Sequence, residues 1–197
     1  LLASLIVRPL RRLVKHVEKI RDTEDKSTLE GHEIEVRSRD EIEILGDTIN
    51  DMTHGLVKAA AAAKDLTVGK DVQKMFIPLE TDERGRKLIS GRLDTDHANF
   101  FGYYEGAKGV SGDYFNYIKL DDRYFAIIKC DVSGKGVPAA LIMVEVATLF
   151  QDHFQDWKRD AKGLNLEPLV YRINGFINSQ GYKGLFAAFT MWVRLPT

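Results

Sequence analysis

Two short stretches hold the residue types best suited to chemistry. They are Gly109-Val110-Ser111-Gly112-Asp113-Tyr114-Phe115 and Cys130-Asp131-Val132-Ser133-Gly134-Lys135-Gly136-Val137. Each sets one carboxylate beside a glycine-containing turn. Hard divalent cations such as Mg²⁺ and Mn²⁺ favour carboxylate, carbonyl and water oxygens, so two aspartates that meet make a candidate metal site. Between them lie two strand-like runs, Asp113 to Leu120 and Tyr124 to Asp131, joined by a turn signal at Asp121-Asp122. At about 3.3 Å per residue, arms of similar length out and back bring Asp131 level with Asp113. Gly134 and Gly136 permit a tight turn after Asp131, so a main-chain carbonyl, most simply that of Val132, can face the same ion. An aspartate alone at a strand end reads better as a structural cap; the pair carries the signal.

Other signals are weaker. Ser133-Gly134-Lys135-Gly136 lacks the spacing and the Lys-Ser/Thr ending of a phosphate-binding loop. Ser133 has neither a nearby base nor a nucleophile elbow. His16 and His54 fall on predicted helices, and His32, His97 and His153 are scattered without ligand-like spacing. Cys130, the single cysteine, sits in an apolar strand run and reads as a buried thiol; it excludes an intrachain disulfide and fits a reducing compartment. Trp157 and Trp192 read as packing residues. A net charge of -1 gives no whole-chain attraction to nucleic acid.

The elements that must position the aspartates follow from periodicity. Leu10, Leu13, Val17 and Ile20 recur at 3-4-3 spacing, and Ile42, Leu45, Ile49, Met52 and Leu56 at 3-4-3-4 spacing. These are narrow stripes on two helices, which dimerisation would bury in a parallel four-helix bundle. Ile34 and Val36 offer apolar points to hold an extended connector along that bundle, and Gly31 lies between the helices. The helix continues through the alanines at 59–63 toward Ile77, with a change of heptad phase from Leu66 to Val68, Val72 and Met75. Strand runs then occupy Asn99 to Tyr104 and the two arms above. Helices follow at Pro138 to Phe154 and Pro168 to Ser179, and a last strand runs from Leu185 to Leu195. The fold class is α+β. The first seven residues are apolar and abut Arg8, Arg11, Arg12, Lys15 and Lys19, as at the cytoplasmic end of a transmembrane helix.

Arg8-Pro9-Leu10, Gly31 and Asp40-Glu41-Ile42 resemble a HAMP domain, the linker that relays motion from a membrane helix to a cytoplasmic output. Glu43 departs from the glycine frequent there. Val110-Ser111-Gly112-Asp113-Tyr114-Phe115, followed by the run from Cys130 through Leu141, is similar to the SpoIIE/RsbU-type branch of the PP2C phosphatases. The segment Val72-Gln73 to Pro78 resembles the stretch preceding that domain. The resemblance implies a two-metal centre, Mn²⁺ or Mg²⁺, activating water against phosphoserine or phosphothreonine. It also implies that Asp113 and Asp131 bind metal, Asp131 as the bridge, with the carbonyl of Val132 as a further ligand.

Ser111 stands where that family usually has glycine, and Asn116 where it has aspartate. Further metal-binding aspartates are expected in a C-terminal half. Downstream of Asp131 the acidic residues are Glu145, Asp152, Asp156, Asp160 and Glu167, in or beside predicted helices. The expected organisation is the end of a transmembrane helix and a HAMP domain over 1–57, a helical linker over 58–78, and the front part of a PP2C-like β-sandwich with flanking helices over 79–197. The chain then holds half a metal centre and is inactive alone. The implied parent is a membrane-bound, HAMP-regulated phosphatase on the cytoplasmic side, dimeric through its helices, acting on a phosphorylated regulatory protein such as an anti-sigma-factor antagonist. The alternative is a non-catalytic dimeric relay that binds a partner.

Overall fold

A computed structural model describes residues 6–106, 109–158, 165–182 and 184–194. The first five residues of the apolar stub, Asp160 and Leu195 lie outside them. The chain divides into two compact units, Leu1–Asp65 and Leu66–Thr197.

In the first unit, α1 (Arg8–Asp22) begins with Pro9 in its first turn, where a missing N–H is harmless. A short 3₁₀ turn, Lys26–Leu29, follows, its start capped by the Asp25 carboxylate accepting from Ser27 N–H. The helix α2 (Glu41–Lys74) opens after an extended connector. Two carboxylates satisfy backbone N–H groups at its start. Asp40 Oδ1 accepts from Ile42 N–H at 3.0 Å, and Glu43 Oε2 accepts from the N–H groups of Ser38 and Arg39 at 3.0 and 2.7 Å. Glu43 therefore has a local structural role where the resembled family often has glycine.

The core of this unit is Leu13, Ile20, Leu29, Ile34, Val36 and Ile49. Ile34 and Val36 pin the connector, as their apolar character predicts. Asn50 on α2 fixes the same segment by accepting from Ile34 N–H and donating to Ile34 C=O, both at 3.0 Å. The two helical stripes are split: Leu13, Ile20 and Ile49 are buried, whereas Leu10, Val17, Leu45, Met52 and Leu56 remain exposed. The alanine run, Gly69 and the change of phase leave α2 unbroken to Lys74.

The second unit contains two antiparallel sheets. One pairs β1 (Ser90–Asp94) with β2 (Asn99–Tyr103); the other has the order β3 (Asp113–Lys119), β4 (Phe125–Val132), β5 (Ala187–Arg194). The turn between β3 and β4 falls at the expected aspartates, with Asp121 Oδ1 accepting from Arg123 and Tyr124 N–H. Strand β1, polar and glycine-containing, has no periodic signal and is visible only in the pairing. Alternation along β3 and β4 gives each face its own layer. Phe100 of β2 stacks on Tyr117 at 5.4 Å and meets Phe125 at 5.1 Å. On the opposite face Tyr114 meets Phe150 of α3 (Val137–Gln155), edge to face, at 6.5 Å.

Helix α4 (Glu167–Ser179) adds Leu169 and Ile173 to this core. Among the described residues α3 alone is long and apolar enough to cross a membrane, and its Ile142, Met143, Val146 and Phe150 are instead buried against the sheet. Trp157 packs on Tyr124 at 5.4 Å. Trp192 departs from expectation: it is 49% exposed, because β5 is an edge strand and this residue points away from the helices.

Candidate metal centre

Asp113 opens β3, and Asp131 is the penultimate residue of β4. The register pairs them directly across the ladder. The neighbouring N–H of Val132 donates to Gly112 C=O at 3.2 Å. That makes 112 and 132 the hydrogen-bonded pair and 113 and 131 a non-hydrogen-bonded one, whose Cα atoms lie about 4.5 Å apart with side chains close on one face. Both aspartates are exposed. They open onto a cleft of about 710 Å³ lined by Val110–Asp113 and Asp131–Gly136.

The loop after Asp131 curls through Gly134 and Gly136, whose φ values of 90° and 72° suit glycine alone. The carbonyl of Val132 faces Gly112, where an added Cβ would lie 2.7 Å from its oxygen. Only a residue without a side chain lets these two strand ends approach so closely. Two carboxylates in an open cleft are the donor type that suits a hard divalent cation, whose remaining positions carbonyl oxygens and water can fill. Among the described residues no group of three or more His, Cys, Asp or Glu gathers at any one place.

The other sequence candidates are accounted for structurally. Ser133 continues the ladder, its N–H donating to Phe186 C=O and its Oγ accepting from Phe186 N–H, each at 2.8 Å. Its hydroxyl is thereby occupied as a structural acceptor. Lys135 is exposed on the cleft rim. Cys130 is buried on the helix side of β4, and burial first, then the charges of Asp131 and Asp113, push its thiol up to about 12. Glu145 and Asp152 lie on α3, engaged by Tyr182 and Arg172 respectively. Neither of these acids, nor Asp156 or Glu167, lines the cleft.

Sequence reasoning assigned no role to two residues behind Asp113. Ser111 Oγ donates to Asp113 Oδ2 at 2.8 Å and accepts from Asp113 N–H at 3.2 Å. Gln73, on the last turns of α2 and only 2% exposed, accepts from Ser111 N–H at 3.0 Å and donates to Ser111 C=O. Tyr104 O–H donates to the same Gln73 oxygen at 3.2 Å. A serine two residues before an aspartate is a local cue for such a turn. The partner of Gln73, 38 residues away, has no cue in sequence. Asn116, where the resembled family has aspartate, is buried on the helix-facing side and donates to Tyr114 Oη at 2.9 Å.

Comparison with known proteins agrees with this architecture. The family model of the HAMP domain matches residues 1–58, and that of Stage II sporulation protein E (SpoIIE) matches residues 121–195. Protein IcfG of Synechocystis sp. (strain ATCC 27184 / PCC 6803 / Kazusa) is 30% identical over 112 residues, covering 53% of this chain and 16% of IcfG. Phosphoserine phosphatase RsbP of Bacillus subtilis (strain 168) is 36% identical over 73 residues, covering 35% of this chain and 18% of RsbP. The chain thus spans less than a fifth of the length of either relative. Asp131 and Val132 fall inside the matched SpoIIE span and Asp113 just before it. A HAMP match over residues 1–58 is thus followed, in the same chain, by a SpoIIE match over residues 121–195.

Proposed function

We propose that this chain is part of a HAMP-regulated, metal-dependent phosphatase acting on phosphoserine or phosphothreonine in a regulatory protein. The observation that carries the reading is the cross-strand pairing of Asp113 with Asp131 at the mouth of the cleft. Their carboxylates and the Val132 carbonyl would hold Mn²⁺ or Mg²⁺, and such an ion lowers the pKa of bound water and offsets phosphoryl charge. The chain's own residues do the rest. Gly112 lets the two strand ends close, Gly134 and Gly136 turn the backbone around the cleft, and the Lys135 ammonium on the rim attracts a phosphorylated substrate. Among the described residues two carboxylates line the cleft, fewer acidic ligands than a two-ion centre uses, so residues 1–197 alone are expected to hydrolyse phosphoesters weakly.

The HAMP domain supports attachment to a membrane helix, with the remainder on the cytoplasmic side. Exposed Leu10, Val14, Val17, Leu45, Met52 and Leu56 support a homodimer, since a second copy would cover the exposed parts of both stripes. Residues 58–78 then serve as the helical linker. RsbP is named a phosphoserine phosphatase, which favours a phosphorylated serine on a protein such as an anti-sigma-factor antagonist as substrate. The test is Mn²⁺-dependent phosphate release from a phosphoserine protein by the polypeptide that contains this chain. Asp131→Asn is expected to lower the rate at least 100-fold, as loss of a metal-centre group does. A rate indifferent to both Mn²⁺ and Asp131→Asn overturns the reading and leaves a non-catalytic relay.

A further inference from the structure

We propose that Ser111 is a positioning residue that fixes the Asp113 carboxylate for cation binding, with Gln73 holding the backbone from which it acts. The proposal rests on the metal-site reading of Asp113 and Asp131 above. It begins from the hydrogen bonds around one hydroxyl. Ser111 Oγ accepts from Asp113 N–H and donates to Asp113 Oδ2, so its single proton is aimed at the carboxylate and not left to rotate. Ser111 is buried although Asp113 is exposed, so the bond is shielded from water on one side. An ionised carboxylate offers about four acceptor sites, and this contact uses one of them. Among the described residues no other side chain is bonded to Asp113, whose carboxylate lines the cleft.

The serine is held in turn. Gln73 spans both the N–H and the C=O of Ser111, and Tyr104 O–H fixes the Gln73 oxygen. All three residues are buried. A buried glutamine with both ends of its amide engaged by one residue fixes that residue's position and peptide orientation. The hydroxyl is therefore delivered to Asp113 from a fixed backbone. Neither Ser111 nor Gln73 has to touch the ion; each acts through Asp113. Partners of this kind behind a ligand commonly carry about 10–100-fold of metal affinity.

The test is Mn²⁺ titration of the full chain, with free Mn²⁺ read by electron paramagnetic resonance and folding checked by metal-free thermal melts. Ser111→Ala keeps the Cβ and removes only the hydroxyl; it is expected to weaken Mn²⁺ binding about tenfold with little change in the metal-free melt. Gln73→Leu, which keeps the bulk and removes the amide, is expected to weaken binding in the same direction. Wild-type affinity in Ser111→Ala overturns the proposal, and so does tighter binding, which would mean that the hydroxyl competes with the cation. If wild type and Asp131→Asn take up Mn²⁺ alike, the metal-site reading itself fails, and the positioning role falls with it.

Discussion

At the scale of single residues, the site depends on how closely two strand ends can approach. An alanine at 112 would set its methyl 2.7 Å from Val132 O and 2.9 Å from Val132 Cβ, both inside van der Waals contact. Gly112→Ala is therefore expected to push Asp113 away from Asp131, lower stability by about 1–3 kcal/mol as overpacking does, and weaken Mn²⁺ binding. Thermal melts and metal titration of the same variant check both effects. Cys130 offers a second check of the strand assignment. At 2% exposure its thiol is expected to resist alkylation in the native protein and to react at once when the chain unfolds. Fast labelling of the native protein would contradict the inward placement of Cys130, and with it the outward placement of Asp131 beside it.

At the scale of elements, α2 uses the same device twice. An amide side chain reaches from the helix and pairs with both backbone groups of one residue, Asn50 with Ile34 and Gln73 with Ser111. Asn50→Ala leaves the partly buried N–H and C=O of Ile34 without those partners. It is expected to destabilise the HAMP unit by about 1–3 kcal/mol, read as a lower urea midpoint of the helical circular dichroism.

The α1 element carries a pH dependence of known sign. Nε2 of His16 is buried and has no hydrogen-bond partner among the described residues. Burial first, then the charges of Lys19 and His32, lower its pKa below the ordinary 6.5. The folded form thus takes up this proton less readily than the unfolded form. The stability linked to His16 is complete above pH 6.5 and is lost as pH falls through the window below it. His16→Gln is expected to flatten that part of the profile, seen as a smaller difference between urea midpoints measured above and below pH 6.5. An identical acid slope in the variant would exclude His16 as the cause.

At the scale of the whole molecule, two hydrophobic cores share no residue: one is built around Leu13, Ile20 and Ile49, the other around α3 and the three-stranded sheet. Both tryptophans, Trp157 and Trp192, belong to the second unit. Phe150 is fully buried there between Tyr114 and Phe154. Phe150→Ala is expected to lower the stability of that unit by about 3–5 kcal/mol, read as a shift in the tryptophan fluorescence transition.

Much of this organisation was legible in residue order, because local forces write it. The 3-4 spacing of Leu10 to Ile20 and of Ile42 to Leu56 marked two helices, and α1 and α2 lie there. Alternation and the Asp121-Asp122 turn marked the β3–β4 hairpin, and with it the register that sets Asp113 against Asp131. These are short-range effects, in which each residue's neighbours in sequence decide its conformation.

Tertiary structure alone decided what depends on distant partners. Strand β1 exists because β2 offers it a ladder, not because Ser90 to Asp94 favours extension. Which positions of each helical stripe are buried within the chain was set by where the connector's Ile34 and Val36 came to rest. In sequence Ser111 is only a departure from a usual glycine; its bond to Asp113, and the reach of Gln73 to its backbone across 38 residues, exist only in the folded chain. Periodicity encodes which face of an element is apolar. It carries no record of which polar atom on a remote element will meet which backbone group, because that pairing is settled only when the elements pack.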